Sequence, residues 1–212
     1  MAEDQNPDLQ AEVTRLTQEN ALLSRELVSL RHVIRSLQDL ADASDRRTGP
    51  EHTMELLQQV LHGSLAAIGA EDGSLLILDE DTGELVFVLS AGKIPREQLF
   101  GLRVPPGRGI VGWVAERREP TIVEDVTNDE RFYAAIDQAF DFHTRMVLAA
   151  PIVGGGRVMG VVELLNKEGG QTFSADDLAL VTLLCRFAGE LLHATEEHIA
   201  AEGAGEEAAP AP

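Results

Sequence analysis

Hydrophobic positions along the first forty residues recur at alternating steps of four and three. The repeating positions are Leu9, Val13, Leu16, Asn20, Leu23, Leu27, Leu30, Ile34, Leu37 and Ala41. This heptad spacing predicts a left-handed coiled coil over residues 9–42, after a disordered start at 1–8. Asn20 occupies an a position, where a single polar residue favours parallel two-stranded pairing. The alternative is one long helix that packs against its own domain.

The heptad pattern stops in the stretch ASDRRTGPEHT, where Gly49-Pro50 predicts a hinge over residues 43–52. Across residues 53–197, apolar positions follow helical spacing at both ends and period-two runs between them. Helices that bracket antiparallel, hairpin-rich strands indicate an α+β domain. Residues 198–212 consist mainly of acidic residues, Ala, Gly and Pro, and predict a disordered acidic tail.

Two hairpins are predicted within the domain. SLLILDE and ELVFVLSAG are joined through DEDTGE, and RMVLAAPIV and RVMGVVELLNK are joined through three glycines. Between the hairpins, GIVGWVAERR predicts a short helix that ends before Pro120, and TIVED predicts a short strand. NDERFYAAIDQAF predicts a helix capped by Asn128 or Asp129, and Ser174 is a suitable N-cap for the last helix.

The stretch GRGIVG, which begins at Gly107, has the G-x-G-x-x-G spacing of a dinucleotide-binding loop. That reading requires a central strand before the first glycine, and Pro105-Pro106 cannot supply the hydrogen bonds of one. It also requires a full crossover helix, whereas Pro120 limits the helix here to about two turns. The glycines therefore have another role.

Charge and cysteine content exclude several function classes. The chain carries 36 acidic against 17 basic residues, a net charge of −19, which disfavours nucleic acid and anionic membrane surfaces as partners. Cys185 is the only cysteine, so an intrachain disulfide, a Cys-based zinc site and a CxxC pair are excluded. The polar N-terminus and the lack of an evident membrane-spanning run predict a cytoplasmic protein.

Two longer stretches resemble the GAF domains of signalling proteins. GRGIVGWVAERREPTIVEDVTNDERF is similar to the family's most recognisable block, and VLAAPIVGGGRVMGVVELLNK is similar to its central hairpin. The match runs from about Glu51 to Glu197. The resemblance implies a six-stranded antiparallel sheet with the terminal helices on one face and a small-molecule pocket on the other. The glycines then let the backbone turn and approach that pocket closely.

A cyclic-nucleotide-binding branch of the family is also similar in part. Asn166, Lys167, Phe173 and Asp177 match most of its Asn-Lys…Phe…Asp-Glu motif, with Leu178 in place of the final Glu. The resemblance implies that the Lys–Asp pair is a structural clasp, and a ligand clamp is the alternative. The chain thus keeps most of this motif, so a cyclic nucleotide stays open as the ligand.

The block RFYAAIDQAFDFHTRMVL is similar to the same branch but has Phe140-Asp141 where Thr-Gly is expected. An aromatic ring and a carboxylate there would narrow the pocket and repel a phosphate. Cyclic-nucleotide binding is therefore an alternative with its anion site in doubt.

Nine residues are expected to bind a ligand in the implied pocket, and the sequence identifies no cofactor. The aromatic members would stack on a planar ligand or fill the pocket themselves. Asp125 and Asp129 would accept hydrogen bonds from a base or an amine, although Asp129 also suits a helix cap. The nine are Phe87, Ile110, Val111, Asp125, Asp129, Phe132, Tyr133, Phe142 and Thr144.

The sequence contains no convincing catalytic constellation. His143, beside an aromatic residue, is a candidate ligand of haem iron, as one histidine is in some relatives, but a surface or hydrogen-bonded histidine is the simpler interpretation. Cys185 lies among leucines of the last helix and is expected to be a buried, unreactive thiol. Relatives that reduce methionine sulfoxide use several cysteines, so one cysteine cannot run that cycle. We expect a protein that is not an enzyme.

These observations predict a homodimeric sensory or regulatory protein of signal transduction. Its chains would pair through the coiled coil and through helices near 53–68 and 175–197. The apolar stripe expected to pair in the last helix is Leu178, Val181, Leu184, Ala188 and Leu191. A small molecule or partner would shift the helices, which would act on a separate output protein. The alternatives are a dimeric scaffold with a filled or empty pocket and a cyclic-nucleotide regulator.

Overall fold

The computed structural model describes residues 7–44 and 50–207. It confirms the α+β class, with a six-stranded antiparallel sheet in the order β3-β2-β1-β6-β5-β4. The strands are β1 (Ala70–Leu78), β2 (Leu85–Ala91), β3 (Arg103–Val104), β4 (Thr121–Val123), β5 (Val147–Gly154) and β6 (Arg157–Lys167). The helices are α1 (Pro7–Ser44), α2 (Pro50–Ile68), α3 (Arg96–Leu99), α4 (Gly109–Arg117), α5 (Ala135–Phe140) and α6 (Ala175–Glu207).

The sheet, in which β6 lies between β1 and β5, separates two hydrophobic cores. Because side chains alternate along a strand, Val162 and Leu164 face one side of the sheet and Val161 faces the other. Val162 and Leu164 belong to the core beneath α2 and α6. Val161 belongs to a second core beneath α4. Both predicted hairpins, β1–β2 and β5–β6, are confirmed by the strand pairing.

Helix α6 lies unusually close to strand β5 where two glycines face each other. A Cβ atom added to Gly189 would lie 2.1 Å from the Val153 carbonyl oxygen. A Cβ atom added to Gly154 would lie 1.9 Å from the Gly189 carbonyl oxygen. Only glycine fits on either side of this contact, so the position of α6 over the sheet depends on both.

The predicted helix at NDERFYAAIDQAF is shorter than expected. A 3₁₀ turn occupies Val126–Asn128, and α5 begins only at Ala135. The Asp125 carboxylate accepts a hydrogen bond from the Thr127 N–H at 3.0 Å. Asp129 accepts one from the Arg131 N–H at 2.9 Å. These local side-chain bonds compete with helix formation, so neither aspartate caps a helix that continues into α5.

The C-terminal helix is longer than expected. Helix α6 continues to Glu207, so residues 198–207 are helical and were wrongly predicted as part of a disordered tail. Ala and Glu dominate that segment, and both favour helix. Residues 7–8 of the predicted disordered start and the two ends of the predicted hinge, 43–44 and 50–52, are helical. The remaining parts of these predictions, 1–6, 45–49 and 208–212, lie outside the described residues.

The apolar stripe predicted to pair two copies of α6 belongs instead to the core. Val181, Leu184 and Ala188 are buried against the sheet. The exposed apolar side chain on the neighbouring face is Leu183, at 50%. The segment Ala175–His198 is long and apolar enough to cross a membrane by length and composition alone, contrary to expectation. Its buried face packs in the core, and a core helix passes the same test.

Candidate functional site

A cavity lies on the α4 side of the sheet, beneath the segment 129–144. It holds about 740 Å³ of space, including the part open to solvent. Twenty-one residues line it: Asp72, Gly73, Ser74, Phe87, Ser90, Ala91, Ile94, Leu99, Val104, Gly109, Ile110, Val111, Phe132, Tyr133, Ile136, Asp137, Phe142, Thr144, Val147, Glu163 and Leu165. The sheet forms its floor, and α4 with the segment 129–144 forms its walls and cover.

Strand register places polar side chains together on the cavity floor. In the antiparallel pairing, Ser74 of β1 lies opposite Glu163 of β6 and also opposite Ser90 of β2. The Ser74 hydroxyl donates a hydrogen bond to Glu163 Oε1 at 3.2 Å. Asp72 lies two residues before Ser74, and therefore on the same face of β1. A polar floor is thus built from three neighbouring strands.

The glycine-rich entry to α4 brings backbone to the cavity edge. Gly109 has a φ of +74°, which glycine adopts without strain, and it lines the cavity. A Cβ atom on Gly112 would lie 2.8 Å from the Gly107 carbonyl carbon. These glycines permit a tight chain crossing beside the cavity, which agrees with the interpretation from the sequence.

Hydrogen bonds to Asp137 hold the cover segment in place. Its two carboxylate oxygens accept hydrogen bonds from the Thr144 backbone N–H and from the Thr144 hydroxyl, both at 2.8 Å. An arginine adds a contact at the outside of the segment. The Arg108 guanidinium lies 5.4 Å from the centre of the Tyr133 ring. Polar contacts thus account for much of the closure over the cavity.

Asn166, at the end of β6, ties the cover segment to the sheet. Its Nδ2 donates to the His143 carbonyl oxygen at 3.0 Å, and its Oδ1 accepts from the Arg145 N–H at 2.9 Å. Asn166 is 2% exposed and has a φ of +53°. Asparagine tolerates this left-handed backbone better than most residues.

Replacing Asn166 with Ala is expected to lower the free energy of unfolding by about 3 kcal/mol. The change removes the hydrogen-bond partner of two backbone groups, worth about 1 kcal/mol each, and places Ala in a left-handed backbone region that costs about 1–2 kcal/mol. Urea denaturation followed by circular dichroism measures the loss. Asn128→Ala, at an exposed asparagine, is the matched control and should cost less than about 1 kcal/mol. Equal losses in both variants would refute this role for Asn166.

Glu163 is the carboxyl group whose acidity the site changes most. It is half-buried on the cavity floor. Desolvation, helped by the nearby Asp137 charge and opposed by the Ser74 hydrogen bond, raises the pKa of Glu163 to about 7. The group therefore changes charge near neutral pH, unlike an ordinary glutamate.

Because the pKa of Glu163 is raised on folding, the folded state holds its proton more tightly than the unfolded state. Stability should therefore fall as pH rises from about 5 to 8, through the raised pKa. Glu163→Gln keeps the shape and an acceptor for Ser74 but cannot ionise. Thermal melts across this range should show a steeper decline for the natural chain than for the variant. Parallel curves would contradict the assignment.

A comparison with protein families agrees with this geometry. The GAF domain family model matches residues 51–193. The chain belongs to the GAF domain family. Such domains are typically regulatory domains that bind ligands.

Individual relatives are similar to parts of the chain. The dual 3',5'-cyclic-AMP and -GMP phosphodiesterase 11 of Drosophila melanogaster is 38% identical over 94 residues, which are 44% of this chain and 6% of that protein. The probable 3',5'-cyclic phosphodiesterase pde-5 of Caenorhabditis elegans is 27% identical over 143 residues, which are 64% of this chain and 20% of that protein. The matches thus span a minor part of each curated relative.

A solved structure supports the fold. The GAF domain from a phosphoenolpyruvate-protein phosphotransferase of Coxiella burnetii superposes with a TM-score of 0.64 at 23% identity, covering 80% of this chain and 98% of that one. At this identity the likeness concerns the fold alone.

Seven of the nine residues expected to bind a ligand in the GAF domain line the cavity: Phe87, Ile110, Val111, Phe132, Tyr133, Phe142 and Thr144. Asp125 and Asp129 do not. Asp125 is engaged by Thr127 and Asn128, and Asp129 forms an ion pair with Arg131 at 2.7 Å. Whether the seven contact a ligand stays a prediction.

Sequence reasoning missed the polar cavity floor of Asp72, Ser74, Ser90 and Glu163. One signal was available in VVELLNK, where a single carboxylate interrupts an apolar strand. A charge in a central strand is costly unless it faces a cavity or a partner, so Glu163 marks the cavity side. The other three depend on the pairing of β1 with β2 and β6, which no local pattern encodes.

The other candidate positions lie away from the cavity lining. Lys167 pairs with Asp177, which ties the end of β6 to α6 as the structural interpretation expected. Phe140 and Asp141 do not line the cavity, so the expectation that they narrow it is wrong. His143 is exposed, and Cys185 is buried, which raises the pKa of its thiol. Among the described residues, no cluster of His, Cys, Asp and Glu suits a metal ion.

Proposed function

We propose that this GAF domain is the sensory part of a homodimeric regulatory protein of signal transduction. A small molecule enters the cavity, changes the cover segment, and alters the helices that act on a separate output protein. The observation that carries the proposal is the cavity itself. It joins aromatic and apolar walls to buried polar atoms that have no hydrogen-bond partner, a combination typical of small-molecule sites.

The cover segment suits a ligand-dependent change. It is closed by the two hydrogen bonds between Asp137 and Thr144 and by the two that Asn166 makes. Phe132, Tyr133 and Phe142 face the cavity from the same segment. A ligand that contacts these rings favours one arrangement of the segment over another, which is the requirement for a population shift.

Pairing of two chains is supported by the apolar seam of α1. Leu9, Val13, Leu23 and Ile34 are all more than half exposed in the single chain. A row of exposed apolar residues along one helix of 38 residues favours a second copy over packing on the same domain. The parallel pairing favoured by Asn20 would set the two sensory domains side by side.

A conformational change at the cavity would reach the helices through the sheet. The cavity floor and the core beneath α2 and α6 are opposite faces of the same strands, so a shift in β6 or β1 affects both. The backbone of α1 comes close to those of α2 and α6, while its described side chains stay exposed. We infer that this contact carries the change to the coiled coil and from there to the output protein, in the cytoplasm.

Catalysis is not part of the proposal. In this chain the one cysteine, Cys185, belongs to the core beneath α6, on the sheet face opposite the cavity. A thiol in that position does not meet a ligand in the cavity.

A cyclic nucleotide is the second candidate ligand. Curated relatives named for 3',5'-cyclic-AMP and -GMP favour it, as does the N-terminus of α4 at the cavity, where backbone N–H groups suit a phosphate. Three carboxyl groups line the same cavity, those of Asp72, Asp137 and Glu163, and they oppose an anion. A dimeric scaffold whose cavity stays empty is the remaining alternative.

The decisive experiment is to purify the chain from its native host, denature it, and identify the small molecules released by mass spectrometry. A compound recovered in near-stoichiometric amount should also raise the melting temperature when added back. At 100 times its Kd it should stabilise the fold by about 2.7 kcal/mol. Recovery of no compound, together with no thermal shift from amines, amino acids, cyclic AMP or cyclic GMP, would favour the scaffold.

A further inference from the structure

The floor of the cavity contains acceptors to which no group of the described residues donates a hydrogen bond. Asp72 is 4% exposed, and its Oδ1 accepts the Lys93 backbone N–H at 2.6 Å. Its Oδ2 is buried and accepts no hydrogen bond. A buried carboxylate oxygen without a donor is unfavourable, so the site gains stability when a donor arrives.

The nearest cation does not fill this role. Lys93 Nζ lies 3.7 Å from Asp72 Oδ2, beyond hydrogen-bond distance, and donates instead to Glu71 Oε2 at 2.9 Å. The Lys93 side chain is 63% exposed, so solvent screens its electrostatic attraction to the Asp72 carboxylate. Lys93 thus forms a long ion pair at the edge of the site and leaves the buried oxygen without a hydrogen-bond donor.

Two further polar atoms face the same space. Glu163 Oε1 accepts from Ser74, and among the described residues no donor reaches its other oxygen. The Ser90 hydroxyl oxygen is buried and without a partner, on the strand position opposite Ser74. Asp137 differs from these groups, since Thr144 occupies both of its oxygens. The free acceptors are therefore those of Asp72, Glu163 and Ser90.

The negative charge of the cavity lining favours a positively charged ligand. Among the described lining residues, three carry a carboxyl group: Asp72, Asp137 and Glu163. Tyr133 is the other ionisable residue of the lining, which includes no Lys, Arg or His among these residues. Such a lining attracts a cation and repels an anion, more strongly than the same charges would in open solvent. Aromatic rings of Phe87, Tyr133 and Phe142 supply the apolar remainder and suit a cation by their π faces.

We propose that the cavity binds a small molecule carrying a protonated amine or amidinium group, which Asp72 and Glu163 accept while the aromatic side chains hold its apolar part. This inference rests on the proposed sensory function and names the class of ligand. Several N–H donors on one cationic group match several acceptors converging from β1, β2 and β6. The charged form of Glu163 strengthens the contact, so binding increases as that carboxyl ionises.

The test uses the full chain and two sets of probes that differ mainly in charge. One set is benzamidine, benzamide and benzoate, and the other is phenethylamine, phenethyl alcohol and phenylacetate. Ligand-observed NMR and thermal shift measure binding of each probe, with cyclic AMP and cyclic GMP measured alongside. We expect each cation to bind about tenfold more tightly than its neutral analogue, since one charge-assisted hydrogen bond suffices for that ratio.

Variants of the two proposed carboxyl groups test whether they bind the cation. Asp72→Asn keeps the acceptor for Lys93 but removes the charge, and it should reduce cation affinity about tenfold. Asp141→Asn is the matched control, at an exposed residue outside the lining whose φ of +49° asparagine tolerates. Should Asp72→Asn fail to fold, Glu163→Gln replaces it. In the natural chain cation affinity should rise several-fold from pH 6 to pH 8, and in Glu163→Gln it should not.

Three outcomes would overturn the inference. Neutral or anionic probes that bind as tightly as the cations, or cyclic nucleotides that bind while the cations do not, would show that the cavity selects another class. The sensory function would then stand with a different ligand. Cation binding unchanged in both Asp72→Asn and Glu163→Gln would place the cation elsewhere. If no probe binds, the inference fails, and the compounds released from native protein decide the sensory function separately.

Discussion

Loss of the dimer is the expected result when Leu23 and Leu30 in α1 are both replaced by Glu. Both are d positions of the heptad repeat, and they are 51% and 48% exposed in the single chain. In a paired coil each would bury most of its side chain, worth about 1.5–3 kcal/mol. Four leucines per dimer would be replaced by carboxylates facing one another, so we expect the dimer Kd to rise by more than about 100-fold.

The chain supplies a close control in the same turns of the helix. Leu22→Glu with Val28→Glu changes two apolar residues that are 59% and 51% exposed but lie off the heptad seam. The effect on the isolated helix is therefore similar, and only the seam pair should alter association. Size-exclusion chromatography with light scattering reports the mass of each. Equal masses for the seam and off-seam variants would show that pairing does not use this face.

Gly189→Ala is expected to destabilise the domain by about 3 kcal/mol or more, against the usual trend. In the interior of a helix, Gly→Ala ordinarily stabilises by about 0.5–1 kcal/mol. Here the added Cβ atom would lie 2.1 Å from the Val153 carbonyl oxygen, which is backbone and cannot rotate away. The helix must move off β5, and the contacts of Leu184, Cys185 and Ala188 with the core are loosened.

Chemical denaturation of Gly189→Ala against Glu190→Ala measures this effect. Glu190 is the exposed neighbour in the same helix, so its replacement tests helix propensity without the steric clash. A stability for Gly189→Ala equal to or above that of the natural chain would mean that helix and strand are farther apart than the structure places them. The sign of the change is therefore informative as well as its size.

The predictable parts of the fold are those encoded by neighbouring residues. The two hairpins follow from alternating strands around turn residues, and α4 follows from a short apolar helix pattern bounded by Gly109 and Pro120. The helix predicted to begin at Asn128 or Asp129 is wrong in its first part, because Asn and Asp suit a helix cap and a local turn equally. Only the actual hydrogen bonds to Thr127 and Arg131 decide between them.

The sequence predicts where helices and strands occur better than it predicts which face of each is buried. The stripe through Val181, Leu184 and Ala188 has the spacing of an interface and equally of a core helix, and the sheet beneath α6 makes it core. On the cavity floor, Asp72 and Ser90 are polar residues at strand ends in the sequence. They become candidate ligand contacts only because β1 pairs with both β2 and β6.

The proposed function requires both a ligand in the cavity and pairing of two chains through α1, because the ligand would act on an output protein by changing the arrangement of the helices. In the proposed function the cavity binds the signal molecule, and we propose that its polar floor favours a cation. The exposed seam of α1 supplies the surface through which two such domains would be held in register. If the cavity binds a ligand but the chains do not pair, the protein is a monomeric binding protein. If the chains pair but the cavity binds nothing, it is a dimeric scaffold.

Sedimentation equilibrium of the unmodified full chain, from about 1 to 50 µM, tests the pairing of sensory domains most directly. The chain has a mass of 22.9 kDa. We expect a dimer of about twice that mass over most of this range, with dissociation only at the dilute end. A mass of one chain at every concentration would contradict it.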